Sequence, residues 1–269
     1  MEMLQLKTLL KEKEAEHYWE LLRVLVARNL KVRYRGSLLG VYWSLLNPLL
    51  MTGVYTAIFG TAFASYYGNS ILNYVLAVFT GLVVINFFSA STTQALWSVV
   101  NNGALLNKIC LPVNIFPVSM VTANIFQFSI GVFPLLAIMT LVNSRSLVNV
   151  IALVLPLIGL ILVCTGISLL VSALFVFFRD LPYFYELIVF MLWLSSPIFY
   201  PAAIVPASVR SLLILNPLMP VIESIRQISL SGAMPDVSFI GQSLLSGVIF
   251  LTLGLTFFRS LQHSFMDLL

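Results

Sequence analysis

An all-α polytopic membrane protein with six transmembrane helices is the fold class the sequence predicts, and three observations predict it. Of 269 residues, 60% are hydrophobic and only 9% are charged, where a soluble domain carries about 25% charged residues. Mean hydropathy is +1.02. Gly36 to Asn107 runs 72 residues without Asp, Glu, Lys or Arg, which is room for two spans at about 20 residues each. Polar side chains are too few to cover a water-facing surface. A soluble enzyme, a disordered tail and a nucleic-acid module are therefore excluded.

The elements follow in order. Residues 1–35 mix eight basic residues with five glutamates. Trp19, Leu22, Val26 and Leu30 recur at spacings of three and four, which predicts an amphipathic helix along the cytoplasmic interface. The first 35 residues are charged throughout and read as no cleavable leader. Residues 36–269 form the membrane domain. Spans one and two cover about 37–64 and 71–98, broken by the turn cluster Tyr66-Tyr67-Gly68-Asn69-Ser70. Asn101–Lys108 is a short cytoplasmic connection. Spans three to six cover about 113–141, 148–177, 184–200 and 239–258. Between the last two, prolines 201, 206, 217, 220 and 235 punctuate an apolar stretch. That pattern predicts short re-entrant-type helices at the membrane surface.

Six spans put both termini on one side. The N-terminal arm, Lys108, Arg179 and Arg259 place eleven of the fourteen basic residues on that side, against Arg145, Arg210 and Arg226 on the other. The positive-inside rule makes both termini cytoplasmic.

Much chemistry is missing. No lysine follows a glycine, so no P-loop binds ATP. His17 and His263 stand at opposite ends, and Cys110 and Cys164 have no zinc spacing, so no metal site is expected. Cys164 reads as a small buried hydrophobe. No nucleophile–base pair offers catalysis. Arg179-Asp180, an adjacent ionic pair, reads as a local helix-end contact. Ion-coupled carriers need acids at mid-membrane, and only Glu186 comes near a span interior.

What is present is polar–aromatic striping. Ser44, Asn47, Met51 and Tyr55 share a face of span one. Asn86, Ser89, Thr93 and Trp97 share one in span two, beside Phe87 and Phe88. Glu186, Phe190, Trp193, Pro197 and Tyr200 follow a stripe in span five. Aromatic faces pack on sugar rings while Asn and Ser bond hydroxyls, so the stripes suit a glycan path as well as plain helix packing. Lys31-Val-Arg-Tyr-Arg35 stands where basic residues meet lipid headgroups.

The run Arg28-Asn-Leu-Lys-Val-Arg-Tyr-Arg-Gly-Ser-Leu-Leu-Gly-Val-Tyr-Trp-Ser-Leu-Leu-Asn-Pro48 resembles the entry to span one in membrane subunits of polysaccharide ABC exporters, the ABC type-2 permeases of O-antigen or teichoic acid type. Asn107-Lys-Ile-Cys-Leu-Pro112, Phe177-Phe-Arg-Asp-Leu-Pro182, Ser196-Pro-Ile-Phe-Tyr-Pro201 with Asn216-Pro217, and the ending around Arg259, Phe265 and Asp267 agree in order. The resemblance implies a homodimer in a bacterial cytoplasmic membrane, paired with two copies of a nucleotide-binding ATPase subunit. That subunit, not this chain, would bind ATP and Mg. It implies an undecaprenyl-diphosphate-linked polysaccharide as substrate. Carried onto this sequence, Arg33 and Arg35 would guide the diphosphate. Tyr42, Asn47, Tyr55, Asn86, Phe87, Phe88, Trp97, Phe190, Trp193 and Tyr200 would line the glycan path. Asn101, Asn102, Leu105 and Lys108 would couple to the ATPase. Three alternatives stay open: a drug or lipid exporter, an ion-coupled carrier relying on Glu186, and a membrane enzyme of glycan assembly.

Overall fold

The structure, a computed structural model, describes residues 2–109, 111–206, 208, 216–230 and 234–265, without the side chains of residues 2–14 and 202. Among them every regular element is helical. The α-helices are α1 (Glu2–Tyr34), α2 (Trp43–Phe63), α3 (Ile71–Ser98), α4 (Gly103–Leu106), α5 (Ile115–Gly131), α6 (Phe133–Ser144), α7 (Leu147–Ala152), α8 (Val154–Phe177), α9 (Leu181–Ser195), α10 (Met219–Leu230) and α11 (Val237–Leu261). Four helical stretches are long and apolar enough to cross a membrane, and α5 with α6 makes a fifth if counted as one span. The chain is a multi-pass membrane protein.

α3 is the centre. Its uncharged sequence begins at Ser70, whose Oγ accepts the Asn73 amide at 3.3 Å and caps the helix. α2, α5, α8 and α10 all pack on it. Its residues from Tyr74 to Phe88 are almost entirely buried. The expected span over 113–141 is not one straight helix. α5 and α6 meet at 47°. Pro134, in the first turn of α6, has no N–H for the Ile130 carbonyl and its ring crowds that oxygen, so the helix bends there.

The expected span over 184–200 is also corrected. α9 runs only from Leu181 to Ser195, because Ser196 turns extended ahead of Pro197. Fifteen residues rise about 22 Å, less than a hydrocarbon core of about 30 Å.

Of the short helices expected before the last span, α10 lies within the described residues. The apolar stretch at 209–215 with Arg210 lies outside them, as do Cys110 and Asp267. The last carbonyls of α10 find partners on its neighbours. Asn143 Nδ2 donates to the Ser229 and Leu230 oxygens at 3.0 and 3.1 Å, and Asn149 Nδ2 to Ile228 at 3.3 Å. Arg226 is not the exposed outer charge that topology counting supposes. It is 7% exposed. Its guanidinium pairs with Glu223 at 3.2 Å and donates to the carbonyls of Pro197, Ile198 and Ala77. It thereby ties α10 to α3 and to the turn after α9.

α8 and α11 form the closest helix pair. Gly159 faces Ser243 and Gly247, and Gly166 faces Phe250 and Gly254, so the two helices run parallel. A Cβ built on Gly254 would stand 2.0 Å from the Gly166 carbonyl oxygen. Small residues one heptad apart let the backbones touch, the usual basis of membrane helix association.

α1 is helical as expected, but its docked face is rotated from the expected one. Leu22 and Leu25 are buried, while Trp19 is 61% exposed. Leu22 and Leu25 join Val99, Leu106, Ile115, Phe116, Phe258 and Phe265 in one cluster. The face continues through Asn29 and Arg33, whose polar partners on α5 and α3 outweigh the apolar periodicity.

Candidate functional site

The site is assembled where α1 ends and α2 begins. Gly36 and Gly40 take φ of 78° and 50°, left-handed values that favour glycine. They fold the 35–42 turn back across α5. There Gly131 leaves room for it: an added Cβ would lie 2.5 Å from Ser44 Oγ. Pro48 within α2 has no N–H to give the Ser44 carbonyl, and Thr52 Oγ donates to the Pro48 oxygen at 2.6 Å.

A ladder of polar contacts joins α1 to the spans. Arg28 Nη2 donates to Asn102 Oδ1 at 2.9 Å, and Asn29 Nδ2 to Ser119 Oγ at 3.1 Å. Arg33 Nη1 donates to Asn124 Oδ1 at 3.0 Å and to Gln127 Oε1 at 2.5 Å. Arg33 Nη2 donates to Gln94 Oε1, which also accepts from Asn124 Nδ2 at 3.0 Å. The order of partners shows α1 climbing parallel to α5. Gln127 stands twelve residues beyond Ile115, about 18 Å along the helix. A charge carried that far along the flank of a span marks function more often than anchoring. Burial lowers the pKa of the Arg33 guanidinium, with Tyr34 opposing the shift. It still carries its proton at any physiological pH. Gln94, Asn124 and Gln127 accept from Arg33 as neutral amides, Tyr34 stands beside it, and among the described residues it makes no ion pair.

Two cavities meet at Arg33. The first, about 440 Å³, is lined by Arg28, Asn29, Gln94, Trp97, Asn101 and Asn102 among others. The second, also about 440 Å³, is lined by Tyr34, Ser44, Asn47, Asn86, Ser89 and Gln127 with Phe87 and Phe128. Among the described residues neither wall contains Asp or Glu. A groove rich in amides and hydroxyls, with positive charge and no acid, can bind an anionic group and the hydroxyls attached to it.

Farther along α2 the side chains become aromatic. Phe190, Trp193, Phe199, Tyr55, Phe59 and Phe63 form a continuous chain of rings with centroids 5.2–6.4 Å apart. Tyr200 abuts Phe199 edge-on. Tyr74 Oη donates to the Phe199 carbonyl at 2.8 Å and fixes that turn.

The structure therefore brings Asn47, Asn86 and Phe87 to one of the cavities at Arg33 and Trp97 to the other, and Tyr55, Phe190, Trp193 and Tyr200 to one ring cluster. Others lie elsewhere. Phe88 is fully buried in the core and Tyr42 is 62% exposed on the turn. Arg35 is exposed beyond the end of α1, and Thr93 is exposed on α3. On the Asn101–Lys108 connection, a single helical turn forms over Gly103–Leu106. Asn102 is buried against Arg28 and the Ser98 carbonyl, while Asn101 and Lys108 face outward and Leu105 is half-buried. Glu186 is exposed on α9 and lines neither Arg33 cavity. Arg179 lies 5.7 Å over the Phe175 ring. Gln94, Asn124 and Gln127 were not legible as site residues. The available signal was three uncharged amides inside apolar spans.

A sequence profile described as ABC-2 type transporter matches residues 20–230. The O-antigen export system permease protein RfbA of Klebsiella pneumoniae is 30% identical over 255 residues, covering 94% of this chain and 96% of its own. Its counterpart of the same name in Myxococcus xanthus is 29% identical over 259 residues, covering 95% and 97%.

Proposed function

We propose a function from one premise, that this chain belongs to the ABC-2 type transporter family. It is the permease subunit of a polysaccharide exporter of O-antigen type. The cargo is a glycan linked through diphosphate to a polyisoprenoid such as undecaprenyl. Two copies of the chain form the pathway in the bacterial cytoplasmic membrane, with both termini in the cytoplasm. Six crossings follow if α9 and the extended residues after it together make the fifth. Two copies of a separate ATPase bind ATP and Mg and supply the energy. They press on the exposed side of the Asn101–Lys108 connection.

The observation that carries this reading is Arg33. Its charge sits deep along α5, held by amides and matched by no acid among the described residues, at the junction of two cavities. A diphosphate supplies the missing negative charge and its oxygens accept from the guanidinium fork. The sugars that follow meet Asn86 and Asn47 first and the ring cluster of Tyr55, Trp193 and Phe199 after. Each ring pair offers a flat face to a sugar ring. Closure of the ATPase moves α4, and α4 moves the neighbouring contact between Arg28 of α1 and Asn102, which lines the cavity beside Trp97.

The test has two readouts. The chain is tagged at its C-terminus and solubilised gently, and co-purifying proteins are identified by mass spectrometry. A deletion in the native host is complemented and surface glycan is quantified. A stoichiometric P-loop ATPase and restored glycan are expected. A folded, abundant chain with no ATPase, transporting alone under an ion gradient, would replace this reading with a carrier and make Glu186 the next residue to change.

A further inference from the structure

Beside the Arg33 groove lies a third cavity of different character. It measures about 220 Å³ and sits inside the α5–α6 bend, against α3 and α8. Phe87, Ile125, Phe128, Phe133, Leu157 and Ile161 form most of its wall. It is smaller than a pocket for a whole drug-sized ligand, so it suits a segment of chain. Its mouth is on the outer surface of the helices, where Val154 and Ile158 are 43% and 40% exposed.

Its position makes it more than a packing defect. Phe87 and Phe128 line both this cavity and the Arg33 cavity. The two rings meet edge to face with centroids 5.3 Å apart. One partition therefore separates a polar, positively charged compartment from an apolar one. The bend that creates the apolar side is imposed by Pro134. An amphiphile with an anionic head and a hydrocarbon tail matches such a pair, because each part is taken from water or lipid into its own kind of surroundings.

We propose that this cavity holds the hydrocarbon tail of the exported lipid, a segment of polyisoprenoid, while its diphosphate is held at Arg33. The Phe87–Phe128 pair divides tail from head and sets where the lipid stops and the glycan begins. This rests on the reading that the substrate is lipid-linked. The two compartments place the tail on the α5–α8 side of α3 and the glycan on the α2 side.

The test uses the complete permease with its ATPase, in nanodiscs of phosphatidylcholine. The probe is a polyisoprenyl diphosphate with a diazirine in its tail, cross-linked by light and mapped by mass spectrometry. Adducts are expected on Ile125, Phe128, Ile158 and Ile161, about tenfold above those on the outer face of α11, as fits a specific site against diffuse lipid contact. Ile158→Trp at the mouth should cut this labelling about fivefold by filling the entrance, while Ile138→Trp on the exposed side of α6 should leave it unchanged. Unlabelled polyisoprenyl diphosphate should compete and phosphatidylglycerol should not. Even labelling over all outer faces, or equal competition by phosphatidylglycerol, would overturn the proposal, the latter assigning the cavity to ordinary bilayer lipid. Should Ile158→Trp not fold, the wild-type adduct map and the competition decide alone. An assembly that exports glycan but leaves the cavity unlabelled sinks the tail site only. One that neither holds an ATPase nor exports sinks the transport reading itself.

Discussion

The seam between α8 and α11 and the seam between α1, α3 and α5 solve opposite problems in one chain. The first is closed. Gly159, Gly166, Gly247 and Gly254 bring two backbones into contact. The second is propped. Arg33, Gln94, Asn124 and Gln127 are long and polar, and they hold the helices together by hydrogen bonds across a gap. Van der Waals contact needs small side chains, and a substrate path needs space that does not collapse. The closed seam is the frame against which the propped one keeps its shape.

That contrast breaks most severely at Gly254. Gly254→Leu drives a side chain into the Gly166 carbonyl, and overpacking of this kind costs about 1–3 kcal/mol or more. Monodisperse protein in detergent should fall by about tenfold or be lost. Arg226→Met tests a second part of the frame. It leaves Glu223 and three carbonyls without their partner, a loss of about 3 kcal/mol for a broken buried pair. Thermal denaturation followed by tryptophan fluorescence should show a markedly lower midpoint. On the propped seam the prediction reverses. Arg33→Ala should leave the protein folded and bound to its ATPase. Hydrogen bonds to a charged group are worth about 1.5–3 kcal/mol, so glycan export should fall by about ten- to hundredfold. Arg33→Lys keeps the charge but loses the fork and should retain part of it. The smallest effect is expected in the aromatic chain. Trp193→Ala removes a ring contact worth about 0.5–1.5 kcal/mol and should lower export by about two- to tenfold with insertion intact. Trp97→Ala should behave likewise.

These two seams were unequally visible beforehand. The long apolar helices were legible because absence of charge is local: α3 begins at its Ser70 cap and ends at Ser98, and α7–α8 span Leu147 to Phe177, close to their expected limits. The bend at Pro134 was written in the sequence, but an apolar run reads through it. α9 is shorter than its apolar run because Ser196-Pro197 stops the helix inside that run. Arg226 counts as an outer charge in one dimension and is a buried tie in three. The glycine seam needs the register of two helices that are about eighty residues apart in sequence. Of the groove, Arg33, Asn47, Asn86 and Trp97 were legible from stripes and a basic cluster. Gln94, Asn124 and Gln127 were not, because a search for charges passes over amides.

Among the described residues no acid pairs with Arg33, and that leaves its charge for an anionic substrate. Gln94→Glu tests it most directly, since it places a carboxylate where an amide oxygen already accepts from Arg33 and changes almost nothing in shape. The account predicts a folded permease that keeps its ATPase and whose glycan export falls at least about tenfold, because the new internal ion pair occupies the guanidinium. Export at the wild-type rate, with the variant at normal abundance in the membrane, would contradict it.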